Sequence, residues 1–282
     1  MIGTSASTQL PQVGTQRFLH QSERLDPTGD IAQRRAMFPI RDHNPAEKTP
    51  YVTYALIAIN VVVFAWQYGV LTDVTANNQF LINYAFWPIF FENGQGNTGF
   101  FTHMFLHGSF MHLAGNMLFL WIFGDNIEEE LGHIPFLIFY IICGLAAAYL
   151  QYLPAPYSRV PMVGASGAIA GVMGGYLLLF PKARVDVFIF FVIFFRIIPI
   201  PSFIVLGVWM ALQVFNGLGS DLNGGGTAYW AHVGGFVAGF VLLIPIWLRR
   251  GGARYWDRTD GHPQHPETRY PRSNIPLIPR QK

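Results

Sequence analysis

The 282-residue chain is 51% hydrophobic and 12% charged, with a net charge of +2, against roughly 25% charged residues in a soluble domain. No Lys or Arg occurs between Lys48 and Arg159, so that stretch cannot coat a water-soluble surface, and the net charge is too small to suggest nucleic-acid binding. One cysteine, Cys143, excludes an intrachain disulfide framework.

Residues 1–50 are polar and mixed, rich in Gln, Pro, Thr and Arg. They read as a largely disordered tail with no apolar core of a secretory signal. A span needs about 20 apolar residues, and six stretches approach or meet that length: 52–71, 112–124, 134–153, 163–180, 197–218 and 229–248. The second extends its charge-free run back through Phe100. Between the first two lies a long loop, 72–111, whose aromatics (Phe80, Tyr84, Phe86, Trp87, Phe90, Phe91) suit the membrane interface. A nine-residue apolar piece, 187–195, is too short to span. As a lone strand it would leave backbone groups unpaired in lipid, so it is expected as a buried or interfacial lead-in to the fifth helix. Residues 249–282, opened by Arg249-Arg250-Gly251-Gly252, form a second tail. The expectation is an all-α integral membrane protein with a six-helix core at 51–248.

Six spans place both tails and the loop 181–196 on one side, with 17 of the 18 basic residues, while the opposite loops hold only Arg159. The positive-inside rule then puts both termini in the cytoplasm. The acidic turn at 125–132 is the exception on that side and weighs little in the rule.

Helices two, four and six then start from the outer side at similar depth. Their first polar residues are His112 and Asn116, Ser166, and His232. Polar groups inside a membrane are costly and tend to face a bundle interior or a wet cavity. Ser166, in Gly164-Ala165-Ser166-Gly167, opens a helix whose free backbone N–H groups suit a developing oxyanion; alone it would serve equally as a helix cap. His232, in Ala231-His232-Val233-Gly234-Gly235, can act as general base; alone it would pass as an interfacial histidine. Gly167, Gly171 and Gly175 on helix four, with Gly235 and Gly239 on helix six, allow close helix contact. His112 and Asn116 share a helix face at i,i+4, where the amide can donate to an oxyanion or join neighbouring helices. His107 is expected to brace the long loop. The outer-side carboxylates Asp73, Glu92 and Asp221 all fall in loops, so no third catalytic acid is evident and packing is expected to orient His232.

Phe105-Leu106-His107-Gly108 with His112-Leu113-Ala114-Gly115-Asn116, then the Ser166 and His232 motifs, resembles the rhomboid intramembrane serine proteases. Phe38-Pro39-Ile40-Arg41-Asp42 looks like the bacterial branch. The resemblance covers roughly residues 38–250. It implies a six-helix rhomboid-like bundle, a dyad of Ser166 and His232, and oxyanion stabilisation by His112 and Asn116. It also implies that helix five and the loop before helix six gate the substrate. The implied activity is endopeptidase cleavage of single-span membrane proteins near the outer face of a bacterial plasma membrane. Transmembrane substrates and lipid are the implied partners; neither nucleic acid, metal nor any cofactor is called for. Many members carry a Trp-Arg pair a few residues before the loop histidine; here Thr98-Gly99 stands there, removing one anchor of the long loop.

Three rival readings fit the residues less well. A rhomboid-like binding or quality-control module would have lost Ser166 or His232, and both are present. A metal site at His103, His107 and His112 lacks a His-Glu-x-x-His motif and a nearby carboxylate. A transporter would show inverted repeats or broken helices, and none is convincing.

Overall fold

The computed structural model describes residues 36–42, 46–71, 73–96, 98–191 and 194–263. The remainder of the two expected tails, 1–35, 43–45 and 264–282, lies outside the described residues. In chain order the elements are strand β1 (Ala36–Asp42), helix α1 (Tyr51–Val70), and the short helices α2 (Val74–Tyr84), α3 (Pro88–Glu92) and α4 (Gly99–Thr102). After a 3-10 turn at His103–Phe105 come α5 (Phe110–Leu131), α6 (His133–Tyr152), α7 (Ser166–Leu179), the strands β2 (Arg184–Phe191) and β3 (Phe194–Pro201), then α8 (Ser202–Gly219), α9 (Tyr229–Arg249) and α10 (Ala253–Thr259). By length and apolarity four of these helices could cross a membrane, α1, α6, α8 and α9, and α7 is a shorter apolar helix.

The protein is mostly helical but not all-α. Its strands form one antiparallel sheet in the order β1-β2-β3, which corrects two expectations. The expected lead-in at 187–195 is not a lone segment: 187–191 belong to β2, which pairs on one side with β3, where 194 and 195 lie, and on the other with residues 36–42, drawn from the stretch assigned to the N-terminal tail. Two partners remove the cost that made a lone strand untenable. The fifth helix starts at Ser202 rather than 197. Pro199 and Pro201 lack the N–H a helix interior needs and bias the residue before each toward extended backbone. They fit β3 because it is an edge strand.

Helix α5 also departs from expectation. It runs 22 residues, carrying the acidic turn at 125–131 as helix rather than loop. Glu128, 1% exposed, accepts hydrogen bonds from Val52 N–H (2.9 Å), Thr53 N–H (2.7 Å) and Thr53 Oγ1 (2.7 Å). It thereby satisfies the start of α1, which has no side-chain cap of its own. Glu130 pairs with Arg250 just beyond α9. The acidic residues are therefore structural partners whose placement depends on helix continuing past Gly124.

The core is centred on α7, where every residue except Ser166 and Leu177 is buried. This explains its lack of an amphipathic pattern: it is apolar all round because it is surrounded. Its tightest neighbour is α9. A Cβ at Gly235 would come within 1.9 Å of the Gly167 carbonyl oxygen, and one at Gly239 within 1.9 Å of that of Gly171. The two backbones touch where a methyl group cannot fit.

Candidate active site

Ser166 is the first residue of α7, so the amides of its first turn lack intrahelical partners. The chain reaches it through Gly164 at φ 125°, a conformation that disfavours any side chain. The same glycine lies under α5. A Cβ there would come within 2.7 Å of the His112 imidazole Nε2 and 3.6 Å of Asn116 Nδ2. The Ser166 turn and the His112–Asn116 face are thus stacked directly on one another.

His232 stands on the first turn of α9. Its Nε2 is 2.8 Å from Ser166 Oγ, and the α7–α9 glycine contacts hold the two helices at that separation. Its other ring nitrogen, Nδ1, is 2.8 Å from Gln213 Oε1 on α8, and the Trp209 ring lies 5.6 Å away, centroid to centroid. The sequence reading expected packing alone to orient this histidine. The amide of Gln213 was missed, although a Gln within an otherwise apolar span was the available signal.

The oxyanion candidates are held from the loop side. Ser109 Oγ accepts from His112 N–H at 3.1 Å and caps α5. Asn116 Nδ2 donates to His107 Nε2 at 2.9 Å. His107, expected to brace the loop, therefore also aims the Asn116 amide. All four residues, Ser166, His232, His112 and Asn116, line one cavity of about 1510 Å³.

The loop above this site has its own anchors in place of the missing Trp-Arg pair. The Gly99 backbone presses on Ala85 so closely that a Cβ would lie 2.1 Å from the Ala85 carbonyl oxygen. Thr102 Oγ1 donates to the Tyr84 carbonyl at 2.6 Å, and His103 Nδ1 reaches the Gly99 carbonyl at 3.1 Å. Gly164 N–H in turn donates to the His103 carbonyl at 2.9 Å, tying the loop to the serine turn. Burial pushes the His103 imidazole down to about 4, so it is neutral at physiological pH. With His103 and His107 committed to these contacts, no group of three or more His, Cys, Asp or Glu is gathered for a metal among the described residues.

The model of the rhomboid domain matches residues 95–249, more than half of the chain. The chain belongs to the rhomboid family. Among its relatives, the mitochondrial Rhomboid protein 1 of Saccharomyces cerevisiae is 31% identical over 198 residues, covering 67% of this chain and 51% of that protein. The Rhomboid protease GluP of Bacillus subtilis is 29% identical over 152 residues, 54% of this chain and 26% of that one. The Rhomboid protease GlpG of Haemophilus influenzae is 27% identical over 192 residues, 67% and 88%. This rhomboid thus spans about half the length, or less, of several curated relatives it matches. Those relatives are mitochondrial and chloroplast proteins as well as bacterial ones, so similarity does not single out the bacterial branch expected from Phe38–Asp42. It is a multi-pass membrane protein of a family whose members include proteins named rhomboid proteases.

Proposed function

We propose that this rhomboid is an intramembrane serine endopeptidase in which Ser166 is the nucleophile and His232 the general base. The observation that carries the reading is the 2.8 Å contact between His232 Nε2 and Ser166 Oγ at the starts of two helices locked backbone to backbone. Six helices, α1 and α5 to α9, form the membrane core within residues 51–248, with both termini on the positively charged side, the cytoplasm in a bacterial plasma membrane.

Helix α7 has 14 residues, about 21 Å at 1.5 Å per residue. It is shorter than the roughly 30 Å hydrocarbon core, so Ser166 lies below the outer surface, and the cavity supplies the water that hydrolysis needs. The imidazole takes the hydroxyl proton as Oγ attacks a carbonyl, then returns it to the leaving amine. Negative charge on the tetrahedral oxygen meets the Ser166 N–H, Asn116 Nδ2–H and His112, all neutral donors suited to a lipid setting. A stable transmembrane helix hides its carbonyls, so substrates are single-span proteins with helix-breaking residues near the outer end and a small residue before the cut.

The test is cleavage of such a substrate in liposomes. Ser166→Ala and His232→Ala are each expected to lose turnover by on the order of 10⁶ while keeping the wild-type melting profile. Cleavage by Ser166→Ala at the wild-type rate would overturn the assignment. A folded wild-type protein that binds but never cuts a panel of single-span substrates would favour the non-catalytic binding or quality-control reading.

A further inference from the structure

The serine and the base leave one requirement unmet. A neutral imidazole has two tautomers, and only the one protonated on Nδ1 presents a lone pair on Nε2 to the serine hydroxyl. In water the choice is open; in a buried site it is set by whatever Nδ1 faces. Here Nδ1 faces the side-chain amide of Gln213 at 2.8 Å.

The orientation of that amide is fixed by its second contact. Gln213 Nε2 lies 3.3 Å from the backbone carbonyl of Trp209, one turn earlier on α8. A carbonyl oxygen can only accept, so the nitrogen must face Trp209, and the oxygen must face His232. An amide oxygen also can only accept. The proton of the imidazole is therefore required on Nδ1, and Nε2 is left to receive the serine hydroxyl 2.8 Å away.

Gln213 is 8% exposed, and α8 is otherwise weakly embedded. Its buried residues are Ser202, Leu206, Gln213 and Gly217, while Phe215 and Leu218 on its outward face are 75% and 74% exposed. Trp209 and Gln213 fall four residues apart, hence on one face of α8. Both touch His232, Trp209 by ring contact and Gln213 by hydrogen bond.

We propose that Gln213 is the positioning residue of this site: its amide oxygen fixes His232 in the Nδ1–H tautomer, so the base reaches its full competence while α8 is seated against α9. This rests on the dyad reading above. It gives a weakly embedded helix a direct hold on the proton chemistry, without a charged group in the membrane. His112 is a second titratable side chain lining the same cavity as His232. It stands on α5 rather than α8.

The experiment uses the full chain with two variants. Gln213→Met keeps volume and removes the acceptor; Gln213→Glu keeps an acceptor oxygen at the same position. Each is measured for peptide cleavage, for the rate of serine phosphonylation by a fluorophosphonate, which needs the dyad but no transmembrane substrate, and for the His232 tautomer by ¹⁵N NMR of histidine-labelled protein, the resonance being assigned by its loss in His232→Ala. Gln213→Met is expected to lose about tenfold in kcat and in phosphonylation, the worth of roughly one hydrogen bond, with KM unchanged. A mixed tautomer should replace Nδ1–H, and Gln213→Glu should recover most of the rate. A wild-type His232 that is mainly Nε2–H overturns the proposal even if Gln213→Met does not fold, as does a folded Gln213→Met with wild-type kcat and tautomer. Wild-type protein inert to both substrate and phosphonate would instead refute the dyad reading.

Discussion

The seam between α7 and α9 and the outward helix α8 meet the same histidine in opposite ways. Along the seam, carbonyl oxygens of one helix occupy the space where glycines of the other would carry a side chain. Along α8, Gly207 has nothing within 4 Å of a built Cβ, and large apolar side chains face outward. In a membrane there is no hydrophobic gain from helix contact, so affinity between helices comes from close packing and hydrogen bonds. The seam has the first and α8 has chiefly the second. Ser166 and His232, the proposed nucleophile and base, therefore ride on the part that cannot move apart without losing the fold, while Gln213, proposed to orient the base, rides on a helix without such backbone contacts.

That contrast fails if the seam tolerates bulk. Gly239→Leu is expected to give the largest effect, loss of the folded protein. No rotamer removes a Cβ 1.9 Å from the Gly171 carbonyl oxygen, and forcing the helices apart belongs among the changes that exceed about 4 kcal/mol. A thermal melt in detergent within a few degrees of wild type would show that the seam is not rigid.

Next in size is Asn116→Ala, which leaves the seam intact. Turnover should fall by about 10²–10³ if the amide is an oxyanion donor, with the melt unchanged. A lowered melt with full turnover per folded molecule would make Asn116 structural. His107→Ala, which releases Asn116 Nδ2, should move turnover in the same direction by less.

Acid should open the loop before it touches the seam. The His103 imidazole titrates near 4 when buried, against 6.5 when free. Between those values the opened loop binds a proton that the closed loop does not, so closure weakens as pH falls from about 6.5 toward 4 and changes no further below that. Hydrogen exchange of residues 98–106 should rise across this window while that of α7 stays constant. Exchange that is flat from pH 7 to 4.5 would remove His103 as an anchor.

The smallest effect is expected on α8. Gly207→Ala meets open space and replaces the weaker helix former, so it should leave the protein unchanged or more stable by up to about 1 kcal/mol. A clear loss of stability would mean that this face is covered after all.

The amino-acid sequence by itself determined the class of protein, the family, and the residues that meet at the site. Apolar length, the absence of basic residues between Lys48 and Arg159, and polar residues at the starts of three helices are local features, readable one segment at a time. So were the glycines at four-residue spacing, because only close approach makes use of them. The tertiary structure alone decided what depends on a partner distant in the chain. Residues 187–191 became part of an inner strand because 36–42, far away in the chain, supply hydrogen bonds on the edge that β3 leaves open. The acidic turn became helix because Glu128 finds the start of α1. The loop kept its anchorage without Trp-Arg because Gly99 fits against Ala85, and His232 gained its orienting acceptor because α8 folds back over α9 with Gln213 facing inward. Hydrogen-bond pairing across long sequence separations leaves no periodic trace in the residues themselves, whereas burial and close packing do.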